Sequence, residues 1–219
     1  MGKIKEYRWG YINPAGGFVI EPRFHDAWDF SENLAVVKVE WARGYIDRVG
    51  NFVIEPKFQD AGPFHEGLAR VMDDNLYGYI DRSGNYVIAP RFTGAKDFKD
   101  GVAQVKVDDR WIYIDRVGNE VPEPARKIED VSHEVAPVPT RIGDKCGYIN
   151  GEGVLVIPAK FYDAEPFSEG LARVKTGRTS QWGYIDESGA FAFKAKFAGA
   201  EDFHDGLARV MIDINVEYS

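Results

Sequence analysis

The sequence predicts an all-β fold made of six tandem repeats of about 34 residues, each a three-stranded β-meander. Three observations support this prediction. One tripeptide recurs at nearly constant spacing, each copy is followed by a turn signature between two apolar runs, and the predicted strands are apolar on both faces. Such strands need neighbours on both sides, so the repeats are expected to stack.

The recurring tripeptide is Gly-Tyr-Ile, and it sets the boundaries of the units. Copies begin at Gly10, Gly44, Gly78, Gly147 and Gly183, and the related Ile-Tyr-Ile begins at Ile112. The intervals are 34, 34, 34, 35 and 36 residues. We expect a single repeat domain over 1–219 with units at approximately 9–42, 43–76, 77–110, 111–145, 146–181 and 182–219.

A turn signature follows each copy of the tripeptide. Asp or Asn stands at the first position and Gly at the fourth, as in Asp47–Gly50 and Asn13–Gly16. This pattern is typical of a type I β-turn. The flanking runs, such as Phe52-Val53-Ile54, are rich in β-branched and aromatic residues, so the turn is predicted to join two strands of a hairpin.

A third strand and a connector complete each unit. The third strand is represented by Leu68-Ala69-Arg70-Val71, and the connector has the pattern Phe-x-x-Ala-x-x-Phe, as in Phe58–Phe64. The spacing of three predicts one short helical or 3₁₀ turn. An acid followed by Gly ends the connector, with Asn33 replacing the Gly in the first unit. Asn tolerates positive φ, so this position is expected to be left-handed and the acids to be turn residues.

Two arrangements of stacked meanders satisfy the pattern. A propeller-like toroid closes the last unit onto the first, whereas an open β-solenoid or superhelical array leaves two ends. The first strand, Trp9–Ile12, lacks a preceding partner, and the last, Leu207–Val210, lacks a following one. These two strands would complete one meander if the termini met, so we favour the toroid. The small Gly and Ala residues are expected to allow close approach between sheets.

The units resemble the WG-repeat (KWG-repeat) family of bacterial proteins. Trp9-Gly10-Tyr11-Ile12 and Trp182-Gly183-Tyr184-Ile185 carry the resemblance, together with the phrases Phe-Val-Ile-Glu-Pro-Lys-Phe and Glu-Gly-Leu-Ala-Arg-Val. The resemblance implies a β-rich repeat array that acts as an interaction module, and it brings no catalytic residues. The fourth unit departs from the pattern, with Ile112 in place of Gly, Arg126 in place of Phe, and prolines at 122, 124, 137 and 139.

Composition excludes several classes of protein. The net charge of −8 argues against a nucleic-acid binder, which needs a basic face, and the 14 Phe, 11 Tyr and 5 Trp argue against disorder. The single cysteine, Cys146, cannot form an internal disulfide and is expected to be packed and inert. No apolar leader or membrane-spanning stretch is present, so we expect no membrane association and, by default, a cytoplasmic protein.

Enzyme motifs are absent, so we expect a non-enzymatic protein that uses no cofactor and no metal. There is no G-x-S-x-G, H-E-x-x-H, C-x-x-C, P-loop or dinucleotide fingerprint. His65 and His204 occupy equivalent positions that accept Ser or Lys in other units, which indicates a solvent-facing site rather than metal ligation.

Partner binding is the function that the sequence favours. Unit length varies mainly in the segment before Gly-Tyr-Ile, and such variation in repeat proteins often maps to a binding rim. Trp28 and Trp41 stand where other units have polar or small residues, so both are expected to be exposed. We expect an unknown protein or peptide, or alternatively a glycan or cell-wall polymer, to contact Trp28, Trp41, Arg43, Asp108, Arg110 and Arg178. The remaining aromatics at the repeat position, Trp9, Tyr77, Trp111 and Trp182, are expected to stack in the core.

Overall fold

The computed structural model describes residues 3–124, 136–178 and 181–217, and every regular element within these ranges is a β-strand. The first strands in chain order are β1 (Lys3–Ile12), β2 (Phe18–Phe24), β3 (Asp26–Ser31), β4 (Leu34–Val39), β5 (Ala42–Ile46), β6 (Phe52–Phe58), β7 (Asp60–Ala61), β8 (Ala69–Asp73), β9 (Leu76–Ile80), β10 (Tyr86–Phe92), β11 (Gly94–Ala95) and β12 (Ala103–Val107). The others are β13 (Arg110–Ile114), β14 (Glu120–Val121), β15 (Val138–Ile142), β16 (Lys145–Ile149), β17 (Leu155–Phe161), β18 (Asp163–Ala164), β19 (Leu171–Lys175), β20 (Trp182–Asp186), β21 (Phe191–Phe197), β22 (Gly199–Ala200) and β23 (Ala208–Glu217).

In the described parts of the chain the strands form six small antiparallel sheets, which we number I to VI. Sheet I has the order β2-β1-β23-β22, sheet II β3-β4-β5-β6, sheet III β10-β9-β8-β7, sheet IV β11-β12-β13-β14, sheet V β15-β16-β17 and sheet VI β18-β19-β20-β21. Two compact units divide the chain. One contains Met1–Arg23 with Asp130–Ser219, and the other contains Phe24–Glu129. The all-β repeat prediction is therefore confirmed.

Among the described residues, five of the six sheets have four strands instead of the predicted three, because the connector is not helical. In sheet III, Asp60 and Ala61 form a two-residue strand that pairs with Met72 and Val71. The prediction of a helical or 3₁₀ turn for Phe-x-x-Ala-x-x-Phe was wrong. Apolar residues three positions apart also fit a short bent edge strand. The backbone hydrogen bonds to the neighbouring strand decide between a helical turn and a strand.

The terminal strands pair with each other, as the sequence suggested. β1 and β23 run antiparallel from Lys3↔Glu217 to Ile12↔Ala208 and together form the centre of sheet I. The repeat is therefore out of phase with the sheets, since a unit that begins at Trp9 contributes strands to both sheet I and sheet II. Within the described residues, none of the six sheets closes on itself as a barrel.

The predicted turns are present. The Gly50 amide donates to the Asp47 carbonyl at 3.0 Å, and the Asp47 carboxylate accepts the amides of Val49 at 3.0 Å and Asn51 at 2.8 Å. Asn33 has a φ of 67°, which confirms the left-handed position that ends the connector. Glu32 beside it also has a positive φ, of 51°, so the recurring acid belongs to a tight turn between strands.

The glycine of the tripeptide permits close approach within a sheet, not between sheets as predicted. A Cβ on Gly44 would lie 2.6 Å from the Ile54 carbonyl oxygen and 2.7 Å from the Pro56 nitrogen. β6 bulges over Gly44, because Arg43 pairs with Phe58 while Tyr45 pairs with Ile54. The extra residues of the bulge occupy the space that a side chain would fill.

Sheet IV shows the consequence of losing this glycine. Ile112 occupies the position of Gly44 and Gly78, and the following strand, β14, has only Glu120 and Val121 paired, without a bulge. We attribute the difference to the isoleucine side chain, because a Cβ at the equivalent Gly44 or Gly78 would clash with the backbone of the bulged strand. Arg126 of the fourth unit lies outside the described residues.

Neighbouring sheets pack face to face in both compact units. Between sheets II and III, the larger side chains Tyr45, Ile54 and Phe58 meet the small side chains Ala61, Ala69 and Val71. The same arrangement recurs between sheets III and IV, where Tyr79, Ile88 and Phe92 meet Ala103 and Val105. Sheets V and VI, and sheets VI and I, have equivalent interfaces. Each sheet therefore provides the apolar surface that its neighbour needs.

The tyrosine of the tripeptide links one sheet to the next. The Tyr79 hydroxyl donates to the Lys96 carbonyl oxygen at 2.7 Å, and the Tyr45 hydroxyl donates to the Gly62 carbonyl oxygen at 2.8 Å. Tyr148 and Tyr184 make equivalent bonds to Glu165 and Glu201. Burial raises the pKa of the Tyr45, Tyr79 and Tyr148 hydroxyls, because the ionised phenolate is poorly solvated there.

These tyrosines predict alkaline unfolding. A phenol whose pKa is raised in the folded state stabilises the fold fully below its unfolded pKa of about 10, and this contribution declines as the pH rises above that value. We expect the free energy of unfolding, measured by urea denaturation, to fall between about pH 10 and pH 11.5. For Tyr79→Phe the free energy of unfolding should fall less steeply over that range. Equal slopes for the variant and the native protein would contradict the contribution of the Tyr79 hydroxyl.

Candidate partner-binding site

In sheets II, III, IV and VI the segment of variable length lies at one end of the sheet, between the second and third strands in chain order. In sheet V it lies between the first two strands. We call this segment the tip turn. In sheet III it is Asp74-Asn75 and in sheet IV Asp108-Asp109, and all four residues have positive φ, as hairpin turns of this kind require. In sheet II the tip turn is Glu40-Trp41, where Glu40 has a φ of 53°. Its amide donates to the Nδ1 atom of His25 at 3.0 Å, which holds the turn against β3.

Trp41 is 88% exposed at the tip of sheet II, as its polar counterparts suggested. Beside it lies a groove of about 380 Å³, lined by Val39, Glu40, Trp41, Ala42, Phe52, Glu55 and Pro56. The floor is apolar and the two charged side chains are both acidic. An exposed tryptophan beside an apolar groove is typical of a recognition surface.

The sequence predicts that Trp28 is exposed, but in the structure its side chain is partly buried. It packs against the core between sheets II and III, and the Arg43 guanidinium lies 4.6 Å from its ring centroid. Arg43 also forms an ion pair with Asp60 of the next sheet. The structure therefore places Trp28 and Arg43 together in an interface between sheets, whereas Trp41 points away from it.

Arg43 begins a network of alternating charges across sheets II, III and IV. Asp60 also accepts from the Tyr77 hydroxyl at 2.8 Å and pairs with Arg70 at 3.3 Å. The Nε atom of Arg70 bonds to Asp97 at 2.8 Å. Burial lowers the pKa of Arg43, although the Asp26 carboxylate opposes the shift. Apart from the buried Nε atom of Arg43, which has no hydrogen-bond partner among the described residues, these groups bond to one another and so link neighbouring sheets.

The other predicted site residues lie at separate tip turns. Asp108 and Arg110 are exposed on either side of Asp109, which pairs with Lys106 at 2.7 Å. Arg178 is exposed in the longer segment of sheet VI, and its Nε atom bonds to the Tyr162 hydroxyl at 3.1 Å. The structure thus brings Trp28 and Arg43 into contact, and it leaves Trp41, Asp108, Arg110 and Arg178 on their own turns.

The aromatics expected in the core differ in burial. Trp182 packs against the core between sheets VI and I, and Tyr77 packs against that between sheets III and IV. Trp111 is 49% exposed, so the prediction of core stacking was wrong for this residue. Its sheet lacks the bulged last strand that packs beside its counterparts. Cys146 is buried and unpaired with another cysteine, as expected for an inert thiol.

Sequence reasoning missed Phe52, Glu55 and Pro56 of the groove. All three belong to the repeated phrase Phe-Val-Ile-Glu-Pro-Lys-Phe, and this repetition indicates a structural role that hides their part in the groove. The available signal was Ala42, which stands where the next unit has Leu76. Alanine beside a tryptophan leaves more room at this place than leucine would, and Ala42 lines the groove.

The described residues offer neither a metal site nor a membrane-spanning helix. No group of three or more His, Cys, Asp and Glu side chains is placed there to hold a metal ion. Within the same ranges, no helix has the length and apolarity needed to cross a membrane.

Comparison with known proteins identifies the repeats. A family model described as "WG containing repeat" matches residues 9–40, 44–77, 77–111, 147–178 and 182–213, well over half of the chain. The chain belongs to the WG-repeat family. The family model does not match residues 112–146 of this WG-repeat protein, where Ile112 and the prolines break the pattern.

Other comparisons add little. No curated protein matches this WG-repeat chain. A solved structure of a protein of unknown function from Bacteroides caccae is similar at 12% sequence identity, covering 89% of this chain and 94% of that one, with a TM-score of 0.31. A TM-score this low does not establish a common fold.

Proposed function

We propose that this WG-repeat protein is a non-enzymatic interaction module that binds a protein or peptide through its tip turns. The observation that carries the proposal is Trp41, 88% exposed at the tip of sheet II beside an apolar groove. A large aromatic side chain held in water is costly unless a partner covers it, and tryptophan is enriched at binding hot spots.

The bonding of the recurring polar residues also supports a non-enzymatic role. The Glu32 carboxylate accepts the Gly67 amide at 3.0 Å, and Glu66 accepts the Gly101 amide at 2.9 Å. Glu169 accepts the Gly206 amide at 2.8 Å. An acid that is already used to join successive turns is a poor general acid or base, because its proton-accepting oxygen is occupied by a structural bond.

Site-specific photo-crosslinking tests the proposal. A photoreactive amino acid would replace Trp41 or Asp109 at the tip turns, and Ser83 at the opposite end of sheet III as a matched control. In a lysate of the source cells, we expect protein adducts from the tip positions in clear excess over Ser83. Adducts that are equal at all positions, or stronger at Ser83, would overturn the proposal.

Glycan or cell-wall binding is the second candidate, and the half-exposed Trp111 favours it alongside Trp41, because indole rings stack on sugars. Titration of intrinsic tryptophan fluorescence with peptidoglycan fragments separates the two candidates. A saturable quench that is lost in Trp41→Ala supports a glycan ligand, and no response supports a protein or peptide.

We further propose that the six sheets continue their face-to-face packing as a propeller-like toroid. The pairing of β1 with β23 supports this arrangement, since it uses both ends of the described chain in one sheet. A circular permutant that joins the termini and opens the chain at the Asp74-Asn75 turn tests it. In a toroid the permutant should retain the cooperative thermal transition, whereas an open array should lose stability at the new ends.

A further inference from the structure

Each tryptophan other than Trp41 has a basic side chain close to its ring. A basic group lies 5.4 Å from the ring centroid of Trp9, 4.6 Å from that of Trp28, 5.4 Å from that of Trp111 and 4.5 Å from that of Trp182. The basic residues are Arg209, Arg43, Lys96 and Lys175. Among the described residues, no basic side chain lies over Trp41.

The groove beside Trp41 has the charge that a basic ligand needs. Its lining contains two carboxylates, those of Glu40 and Glu55, and no lysine or arginine. Both glutamates are exposed. A cation that approached the ring of Trp41 would therefore meet negative charge at the same place, and the apolar floor of Phe52 and Pro56 would accept its methylene groups.

The neighbouring sheet has residues that would close such a groove. In sheet III, Asn75 replaces the tryptophan and Leu76 replaces Ala42. The Tyr86 hydroxyl, at the position of Phe52, donates to Asp73 at 2.7 Å and so ties the strand edge to the tip. In sheet II the corresponding pair is Phe52 and Val39, which cannot form that bond. The groove thus arises from several differences at one location.

We propose that the groove of sheet II binds a basic peptide segment of a protein partner. An arginine or lysine of the partner stacks on Trp41 and pairs with Glu40 and Glu55, while an adjoining apolar residue contacts Phe52 and Pro56. Arginine suits the site best, because its planar guanidinium both stacks on indole and forms ion pairs. This inference rests on the proposed function and specifies the chemistry of its partner.

We place the contacts of the peptide on side chains rather than on the edge of sheet II. β6 is an edge strand, but Pro56 in its bulge has no backbone donor for an added strand. The affinity is therefore expected to depend on Trp41 and on the two carboxylates.

A synthetic peptide library tests the proposal. Immobilised random heptapeptides, in which arginine, lysine, glutamine and glutamate are scanned at every position, are probed with the full chain, and the best binder is titrated by calorimetry. We expect selection of arginine or lysine next to an apolar residue. Trp41→Asn, which introduces the residue of sheet III, should weaken binding at least about 10-fold.

Matched variants locate the effect. Glu40→Gln with Glu55→Gln should weaken binding several-fold and flatten its dependence on salt, because two charge contacts are removed. Trp111→Tyr, the residue that sheet III has at that position, should bind like the native chain. All of these positions are on the surface, and thermal melting checks that each variant is folded.

Each other outcome overturns the proposal in a distinct way. Selected peptides without a basic residue that still require Trp41 would refute the basic chemistry and leave the proposed protein or peptide binding intact. Basic peptides that bind Trp41→Asn equally well would refute the groove as their site. Absence of any peptide binding, together with a Trp41-dependent fluorescence quench by peptidoglycan fragments, would refute both this inference and the proposed function.

Discussion

Replacement of Phe64 by alanine is expected to lower the free energy of unfolding by about 4 kcal/mol. Phe64 has no exposed surface, and its ring lies 4.8 Å from that of Tyr45 between sheets II and III. The substitution removes most of a large buried side chain and leaves a cavity, because the surrounding strands are held by their own hydrogen bonds and cannot collapse. Urea denaturation followed by circular dichroism measures the loss.

Val49→Ala is the control for this prediction. Val49 is 69% exposed, so its truncation should change stability by no more than about 0.5 kcal/mol. If Phe64→Ala cost less than about 1 kcal/mol, the packing of one sheet on the next would not be a main source of stability.

Gly44→Ala is expected to destabilise the protein by about 3 kcal/mol, although it adds only one methyl group. The new Cβ would lie 2.6 Å from the Ile54 carbonyl oxygen and 2.7 Å from the Pro56 nitrogen, and both of these are backbone atoms. A flexible side chain could move aside, but the bulge of β6 can move only if its pairing with β5 is disturbed. Thermal unfolding of the variant measures the effect.

Gly17→Ala is the matched control. The atoms nearest to a Cβ on Gly17 belong to the Asn13 side chain at 3.6 Å, and Gly17 has no positive φ. This variant should be neutral or slightly stabilised, because alanine reduces the freedom of the unfolded chain. Equal effects of the two substitutions would show that the bulge does not require the glycine.

Much of the stacking could be read from the sequence, but one recurrent contact was overlooked. Arg70 bonds to Asp97 of the following sheet, and Arg173 bonds to Asp202 in the same way. One unit earlier, Val36 stands at the position of Arg70, and Pro63 stands at the position of its partner Asp97. The two positions change together within one chain, and they could have been compared without coordinates.

The candidate site was predicted in part. Trp41 was identified because polar residues occupy its position in other units, and a position that accepts polar residues is usually exposed to solvent. Trp28 passed the same comparison, yet Arg43 covers it. A comparison of units does not reveal contacts that only one unit makes. It also does not reveal the groove at Phe52 and Pro56, because those residues belong to the phrase that recurs in the units.

The sequence alone determined the repeat length, the hairpins, the left-handed turn at Asn33 and the dependence of each sheet on its neighbours. These features follow from local chemistry and from the periodicity of apolar residues, which recur in every copy. The tertiary structure decided that the connector is a strand, that Gly44 serves its own sheet, and that Trp41 stands beside an acidic groove while Trp28 does not. These features depend on which backbone groups and side chains meet across strands, and the linear pattern does not specify those distances.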